Sequence, residues 1–145
     1  MIDLGTIPLI PTNQSLKTVT FTGAAGLGAV GNVPLFTVTG QVLVTRVYGI
    51  VTTNLAGATA TLALGVTGST SLWIAATTAT LLATTARIWA SITPTATALA
   101  LPAAVITETI IDANIVGTVA VAAITAGVLT VYVHWTPIGA GASIV

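Results

Sequence analysis

Apolar and polar residues alternate over short stretches along most of the chain, and this pattern is typical of half-buried β-strands. In the stretch GVLTVYVHWTPI, Leu129 and Val131 share one face, and Thr130 and Tyr132 share the other. Glycine, threonine, asparagine and proline separate such stretches. About seven or eight strands are predicted, in the segments 17–22, 34–54, 58–68, 71–86, 87–93, 104–122 and 127–138.

Three of these segments carry more particular expectations. Gly40 is expected to mark a bend or bulge inside the long apolar run. The pattern in 71–86 fits either a pair of strands or a short helix. In 87–93 the alternation places Ile88 on the face opposite to Trp89.

Strands at this spacing, without an amphipathic helix of three turns, indicate an all-β fold, an antiparallel sandwich or barrel. We predict an antiparallel β-sandwich formed by residues 18–138 as one domain. Pro8 and Pro11 lack the N–H group that a strand ladder needs, so residues 1–17 are expected to form an extended arm. Residues 139–145 are expected to form a C-terminal tail.

Ionic side chains are scarce, at 4% of the chain against about 25% in an average globular domain. The net charge is zero, and there is no cysteine to form disulfides or thiolate metal sites. Three scattered cations cannot neutralise a run of phosphates, so no nucleic acid is expected as a partner. Copies with so few charges repel one another little. We therefore expect neighbouring subunits to cover much of the surface.

The mean hydropathy of +1.05 raises the alternative of a membrane protein. The strongest uncharged window, residues 115–133, is near the length of a spanning helix. Valine, isoleucine and threonine dominate it, Gly117 and Gly127 interrupt it, and no basic residue follows Arg87. These features favour strands, and we expect no membrane contact and no signal peptide.

The string GLGAVG places Gly26, Gly28 and Gly31 in the spacing of a dinucleotide-binding loop. Such a loop must open a helix whose free N–H groups meet the pyrophosphate. Here Pro34 and β-branched residues follow, and no acidic residue lies between Gly31 and Glu108 to hold a ribose. We interpret the glycines as a turn between two strands, and we expect no cofactor.

His134, Glu108 and Asp112 are the candidates for chemistry. The alternation places His134 opposite to Trp135, on a polar or interface face, and no spacing pairs it with a nucleophile. Glu108 and Asp112 share a face of a strand-like run. We interpret them as a structural pair that bonds to arginine across an interface, either Arg46 or Arg87. A weak metal site at the two carboxylates is the alternative.

No residue is therefore assigned as catalytic, cofactor-binding or metal-binding. The three tryptophans are interpreted as core or interface anchors, because a nucleic-acid stripe would need cationic neighbours. They are Trp73, Trp89 and Trp135.

Three phrases carry a family resemblance: TFTGAAGLGAVGNVPLFTVTGQVLVTRVYGIVTTNL, then ATATLALGVTGSTSLWIAATTAT, then GVLTVYVHWTPI. In their order and overall pattern, over residues 20–138, they resemble small auxiliary head proteins of tailed bacteriophages, the decoration or cement proteins. The resemblance implies a β-sandwich of jelly-roll type on the outside of a capsid shell. It implies the major capsid protein as partner and self-association as a dimer or trimer, and it transfers no functional residue.

We therefore expect a structural virion protein on the capsid exterior that clamps neighbouring major capsid subunits and is not an enzyme. Another structural β-protein of a virion or surface assembly, such as a tail-tube, fibre or pilus subunit, is the alternative. A carbohydrate-binding or hydrolytic jelly roll that uses Glu108 and Asp112 is a third hypothesis.

Overall fold

The computed structural model describes residues 13–145, so the larger part of the expected N-terminal arm lies outside the described residues. Helical structure in the described part is limited to one turn of α-helix, α1 (Ala103–Ile106), and a 3-10 turn (Ala79–Leu81). The strands of this part are β1 (Asn13–Thr20), β2 (Gly31–Phe36), β3 (Val38–Thr39), β4 (Val42–Ala56), β5 (Thr61–Val66), β6 (Ser69–Thr78), β7 (Ile88–Trp89), β8 (Thr109–Ile111), β9 (Ile115–Ala120), β10 (Ala126–Pro137) and β11 (Ser143–Ile144).

Two antiparallel sheets contain all but two of these strands. The larger sheet has the order β1-β10-β4, and both β7 and β8 pair with β4. The smaller sheet has the order β2-β9-β5-β6. When the two-residue strands are set aside, the first strand pairs with the eighth, the second with the seventh, the third with the sixth and the fourth with the fifth. This is jelly-roll connectivity, and the predicted all-β antiparallel sandwich is confirmed.

The long strands β4 and β10 form the centre of the larger sheet. Their register pairs Val51 with Leu129 and Val47 with Val133, and all four side chains are buried. Thr45 is an extra residue at a β-bulge, since His134 pairs with residue 46 and the next residue pairs with residue 44. The bulge shifts the inward positions of β4 from even to odd numbers.

One hydrophobic core cluster joins the inner faces of both sheets. The three tryptophans belong to it, as predicted. The indole Nε1 of Trp89 donates to Thr77 Oγ1 at 3.0 Å, and the Nε1 of Trp135 donates to Ser15 Oγ at 3.0 Å. Gly49 leaves room for the Trp89 ring, because a Cβ at residue 49 would lie 2.9 Å from its Cε3 atom.

The boundaries at both chain ends differ from the expected ones. Residues 13–17, which we assigned to the arm, belong to β1, because both prolines of the arm precede residue 13 and every residue from there can join a ladder. The expected tail also belongs to the fold. Its strand β11 pairs with β3, and Thr37 and Val145 exchange two backbone hydrogen bonds of 2.8 and 3.0 Å.

The more particular expectations for segment 71–86, for Gly40 and for segment 87–93 are only partly confirmed. The segment 71–86 contains most of β6 followed by the 3-10 turn. Gly40 lies at a turn with φ +68°, as expected for a bend. The alternation in 87–93 is wrong as a guide to burial, since Trp89 and Ala90 are both buried. Only two residues of this segment are strand, and Ile88 bridges to Thr95 as the chain bends back.

Candidate interaction surface

The face of the larger sheet that points away from the core carries stacked aromatic rings and the exposed side chains of Leu16 and Ile110, and we call it the outer face. Its residues follow from the strand registers, because neighbours across the sheet point to the same side. The outer face consists of Gln14, Leu16, Thr18, Thr20, Leu43, Arg46, Tyr48, Ile50, Ile88, Ile110, Val128, Thr130, Tyr132, His134 and Thr136.

Aromatic rings occupy the middle of the outer face. Tyr48 and Tyr132 are direct cross-strand partners, and their rings stack with centroids 5.3 Å apart. The His134 ring stacks on Tyr48 with centroids 6.1 Å apart. Tyr132 lies between Tyr48 of β4 and Leu16 of β1, and Leu16 is 58% exposed. Sequence reasoning placed Tyr132 and His134 on one face but missed Tyr48, because no local pattern states which strands are neighbours.

The electrostatics of the outer face depend on His134 and Arg46, which are opposite each other in the register. Burial lowers the pKa of His134 below its ordinary value of 6.5, and the positive charge of Arg46 lowers it further. The neutral form of His134 therefore predominates at pH 7. Arg46 is then the one formal charge among the outer-face residues.

Three threonine hydroxyl groups on or beside the outer face have hydrogen-bond partners within the chain. Thr18 Oγ1 and Thr130 Oγ1 are 2.8 Å apart, so one donates to the other. Thr45 Oγ1, at the bulge, donates to the carbonyl oxygen of His134 at 3.2 Å. A partner that covered these threonines would leave few polar groups without a hydrogen bond, which lowers the cost of desolvation.

The glycine string forms the loop between β1 and β2, as predicted. Gly26, Gly28 and Gly31 all have positive φ, which residues with a side chain rarely adopt. The loop is held to a distant turn by the hydrogen bond from Ile124 N to Gly28 O, of 2.8 Å. β2 begins at Gly31 and no helix opens there, so the amide cradle of a dinucleotide site does not form.

Glu108 and Asp112 flank β8 on either side, and both are exposed. Within residues 13–145, no three histidine, aspartate or glutamate side chains are grouped so that they could hold a metal ion. The predicted bonding of Glu108 and Asp112 to Arg46 or Arg87 across an interface involves a second subunit and stays a prediction.

The strongest hydrophobic window, residues 115–133, folds into β9 and most of β10. In the described part of the chain, no helix has the length and apolar character needed to cross a membrane.

Comparison of the chain with family models, curated proteins and solved structures finds no match. The resemblance to phage decoration proteins therefore stays an expectation drawn from the sequence.

Proposed function

We propose that the chain is a structural virion protein that binds the outside of a phage capsid shell and clamps neighbouring major capsid subunits. The observation that carries the proposal is the outer face, a broad sheet surface with stacked aromatic rings and a single formal charge. When an apolar partner covers such a surface, apolar side chains are removed from water, which lowers the free energy of the complex. The proposed role involves no catalytic residue.

Modest contacts are sufficient for this role. Burying a fully exposed leucine or isoleucine contributes about 1.5–3 kcal/mol, so covering half-exposed side chains such as Leu16 and Ile110 contributes about 1 kcal/mol each. Contacts in a closed shell act together, because each subunit that binds holds its neighbours in place. Binding to the assembled shell alone stabilises the shell by mass action.

Virus particles from a strain with the gene deleted test this proposal. We expect particles without the protein to release DNA at a lower temperature than complete particles. Addition of purified protein should raise this temperature again and so restore the stability of the particles. Ile110→Lys places a charge on the outer face and should abolish restoration. Leu81→Lys is the matched control, because Leu81 is 48% exposed and lies outside the outer face. Equal release temperatures with and without the protein would refute the proposal.

A tail-tube, fibre or pilus subunit is the second candidate, and the free edge of β1 favours it. Among the described residues, β1 pairs only with β10, so its other edge is open to a further strand. Electron microscopy of the purified chain separates the two candidates. Helical tubes or fibres would favour this candidate, whereas small closed oligomers would favour the capsid protein.

A further inference from the structure

The outer edge of β1 is a regular strand edge without a bulge. β1 pairs with β10 in one continuous register from Asn13 to Thr20. Phe21 N donates to Gly127 O at 2.9 Å, and backbone groups of an antiparallel strand alternate between its two edges. The odd-numbered residues of β1 therefore point their N–H and C=O groups towards β10. The backbone groups that point away from β10 therefore belong to Gln14, Leu16, Thr18 and Thr20. No other described strand pairs with them.

A groove runs along this free edge, between β1 and β2. One part has a volume of about 470 Å³, and Leu27, Val33 and Pro34 line the side opposite to β1. A second part of about 300 Å³ continues from Lys17 and Pro34. β2 lacks one N–H, at Pro34, whereas each of the four β1 residues that point away from β10 offers both an N–H and a C=O, so β1 is the better ladder partner for a strand in the groove. We call the two parts together the β1 groove.

Lys17 has the only charged side chain among the described residues that line the β1 groove. Its register partner is Val131, so it occupies an inward-facing position of the edge strand, like Val19. A charge at such a position opposes pairing with an arbitrary strand. A strand with a carboxylate opposite Lys17 would compensate that charge. The edge is therefore selective for an acidic extended segment.

The chain itself contains such a segment before β1. Asp3 lies in the apolar stretch MIDLGTI, and the other two carboxylates of the chain flank β8. In an extended strand, Asp3 has the side-chain orientation opposite to Ile2 and Leu4. When Asp3 faces Lys17, Ile2 and Leu4 therefore lie on the outer-face side, next to the exposed Leu16.

We propose that residues 2–7 of a second copy of the chain add to the free edge of β1 as a strand, with Asp3 opposite Lys17. Folding back onto the same chain through a two-residue turn is disfavoured, because that turn would contain Pro11. Two-residue hairpin turns need positive φ at their first central residue, which proline cannot adopt, and that hairpin would place Thr6, not Asp3, opposite Lys17. A hairpin with Asp3 opposite Lys17 would need residues 8–12 as its loop. Pro8 and Pro11 fix φ at two of these five positions, and Pro11 disfavours the helical region at the residue before it, so this connection favours an extended path to a second copy.

The geometry of the chain permits this exchange. Residues 4–12, which connect Asp3 to β1, span up to about 30 Å when extended. The second copy therefore need only begin its own β1 within that distance. This inference concerns the free protein and does not rest on the proposed function, so either can fail without the other.

Cysteine cross-linking tests the exchange directly, because the chain contains no cysteine. Asp3→Cys and Lys17→Cys proteins are mixed in equal amounts, oxidised and separated on a non-reducing gel. We expect the mixed disulfide dimer to exceed at least tenfold the yield from Asp3→Cys mixed with Ser69→Cys, a control at the exposed start of β6. Equal yields would overturn the proposal. An intrachain disulfide in the double variant, without a mixed dimer from the single variants, would also overturn it.

Charge reversal and truncation give an independent measurement by light scattering. Lys17→Asp should weaken self-association at least fivefold, and Asp3→Lys in the same chain should restore it. Removal of residues 2–7 leaves the described fold intact and should abolish the association. Unchanged self-association of the truncated protein would contradict the proposal, whatever the charge variants do.

Discussion

The hydrogen bond between Trp89 and Thr77 provides a sharp test of the core. Both residues are 1% exposed, and Thr77 Oγ1 accepts from Trp89 Nε1 at 3.0 Å while it donates to Ala75 O at 3.1 Å. In the described part of the chain, no buried side-chain polar atom lacks a hydrogen-bond partner. Thr77→Val keeps the shape of the side chain and leaves the indole N–H without an acceptor.

The expected destabilisation follows from this geometry. A buried donor without a partner costs about 1–3 kcal/mol, and the added methyl group of valine recovers a part of that. We expect Thr77→Val to lower the free energy of unfolding by about 2 kcal/mol. For a domain of this size, that loss lowers the melting temperature by about 4–8 °C. Thr77→Ser keeps the hydroxyl and loses one methyl, so it should cost about 1 kcal/mol.

Urea denaturation followed by tryptophan fluorescence measures both variants. The double variant Thr77→Val with Trp89→Phe completes a cycle, because phenylalanine has no N–H to satisfy. In the Trp89→Phe background, the cost of Thr77→Val should fall close to zero. A Thr77→Val protein as stable as the wild type, or less affected than Thr77→Ser, would show that the bond does not stabilise the core.

Three further predictions concern packing, pH and the C-terminus. Gly49→Ala should destabilise the fold by about 1–3 kcal/mol, because its Cβ would crowd the Trp89 ring, whereas Gly139→Ala, with nothing within 4 Å, should be near neutral in the same urea assay. Because the pKa of His134 is lowered in the folded state, the unfolded chain binds the proton first, so stability should fall as the pH drops below 6.5 towards the folded pKa. His134→Gln should lose this dependence between pH 7.5 and 5.5, and an unchanged slope would contradict the assignment. Removal of residues 143–145 should lower the melting temperature by several degrees, since Ile144 is buried and the pairing of β11 with β3 is lost together with the two backbone bonds between Thr37 and Val145, and calorimetry measures this.

The proposed function and the strand exchange use different parts of the larger sheet. The outer face is a broad sheet surface with one formal charge, suited to a partner that covers many side chains at once. The edge of β1 instead offers unpaired backbone groups beside a single cation, which suits one extended segment. Ile110→Lys and Lys17→Asp therefore separate the two, since Ile110 and Lys17 lie at opposite edges of the sheet.

Features that depend on neighbouring residues in the chain could be predicted from the sequence. The alternation in 127–138 correctly separates the buried Leu129 and Val131 from Tyr132, because successive side chains of any strand point to opposite sides. The positive φ of the glycine loop also follows from local chemistry, since glycine has no Cβ to clash. The scarcity of charge determined that any broad interaction surface would be largely uncharged.

Features that depend on strand register were decided by the tertiary structure. Val42 and Val44 face the core, so strict alternation would place Arg46 inside as well. The bulge at Thr45 turns Arg46 to the outer face instead, where its charge stays in contact with water.

The Tyr48–Tyr132 pair and the place of the C-terminal strand have the same origin. Both require hydrogen bonds between segments far apart in the chain, and a shift of one residue in either register would reverse the faces. Local alternation sets which side chains share a side of one strand. Only the pairing of distant strands decides which of those sides meet to form a surface.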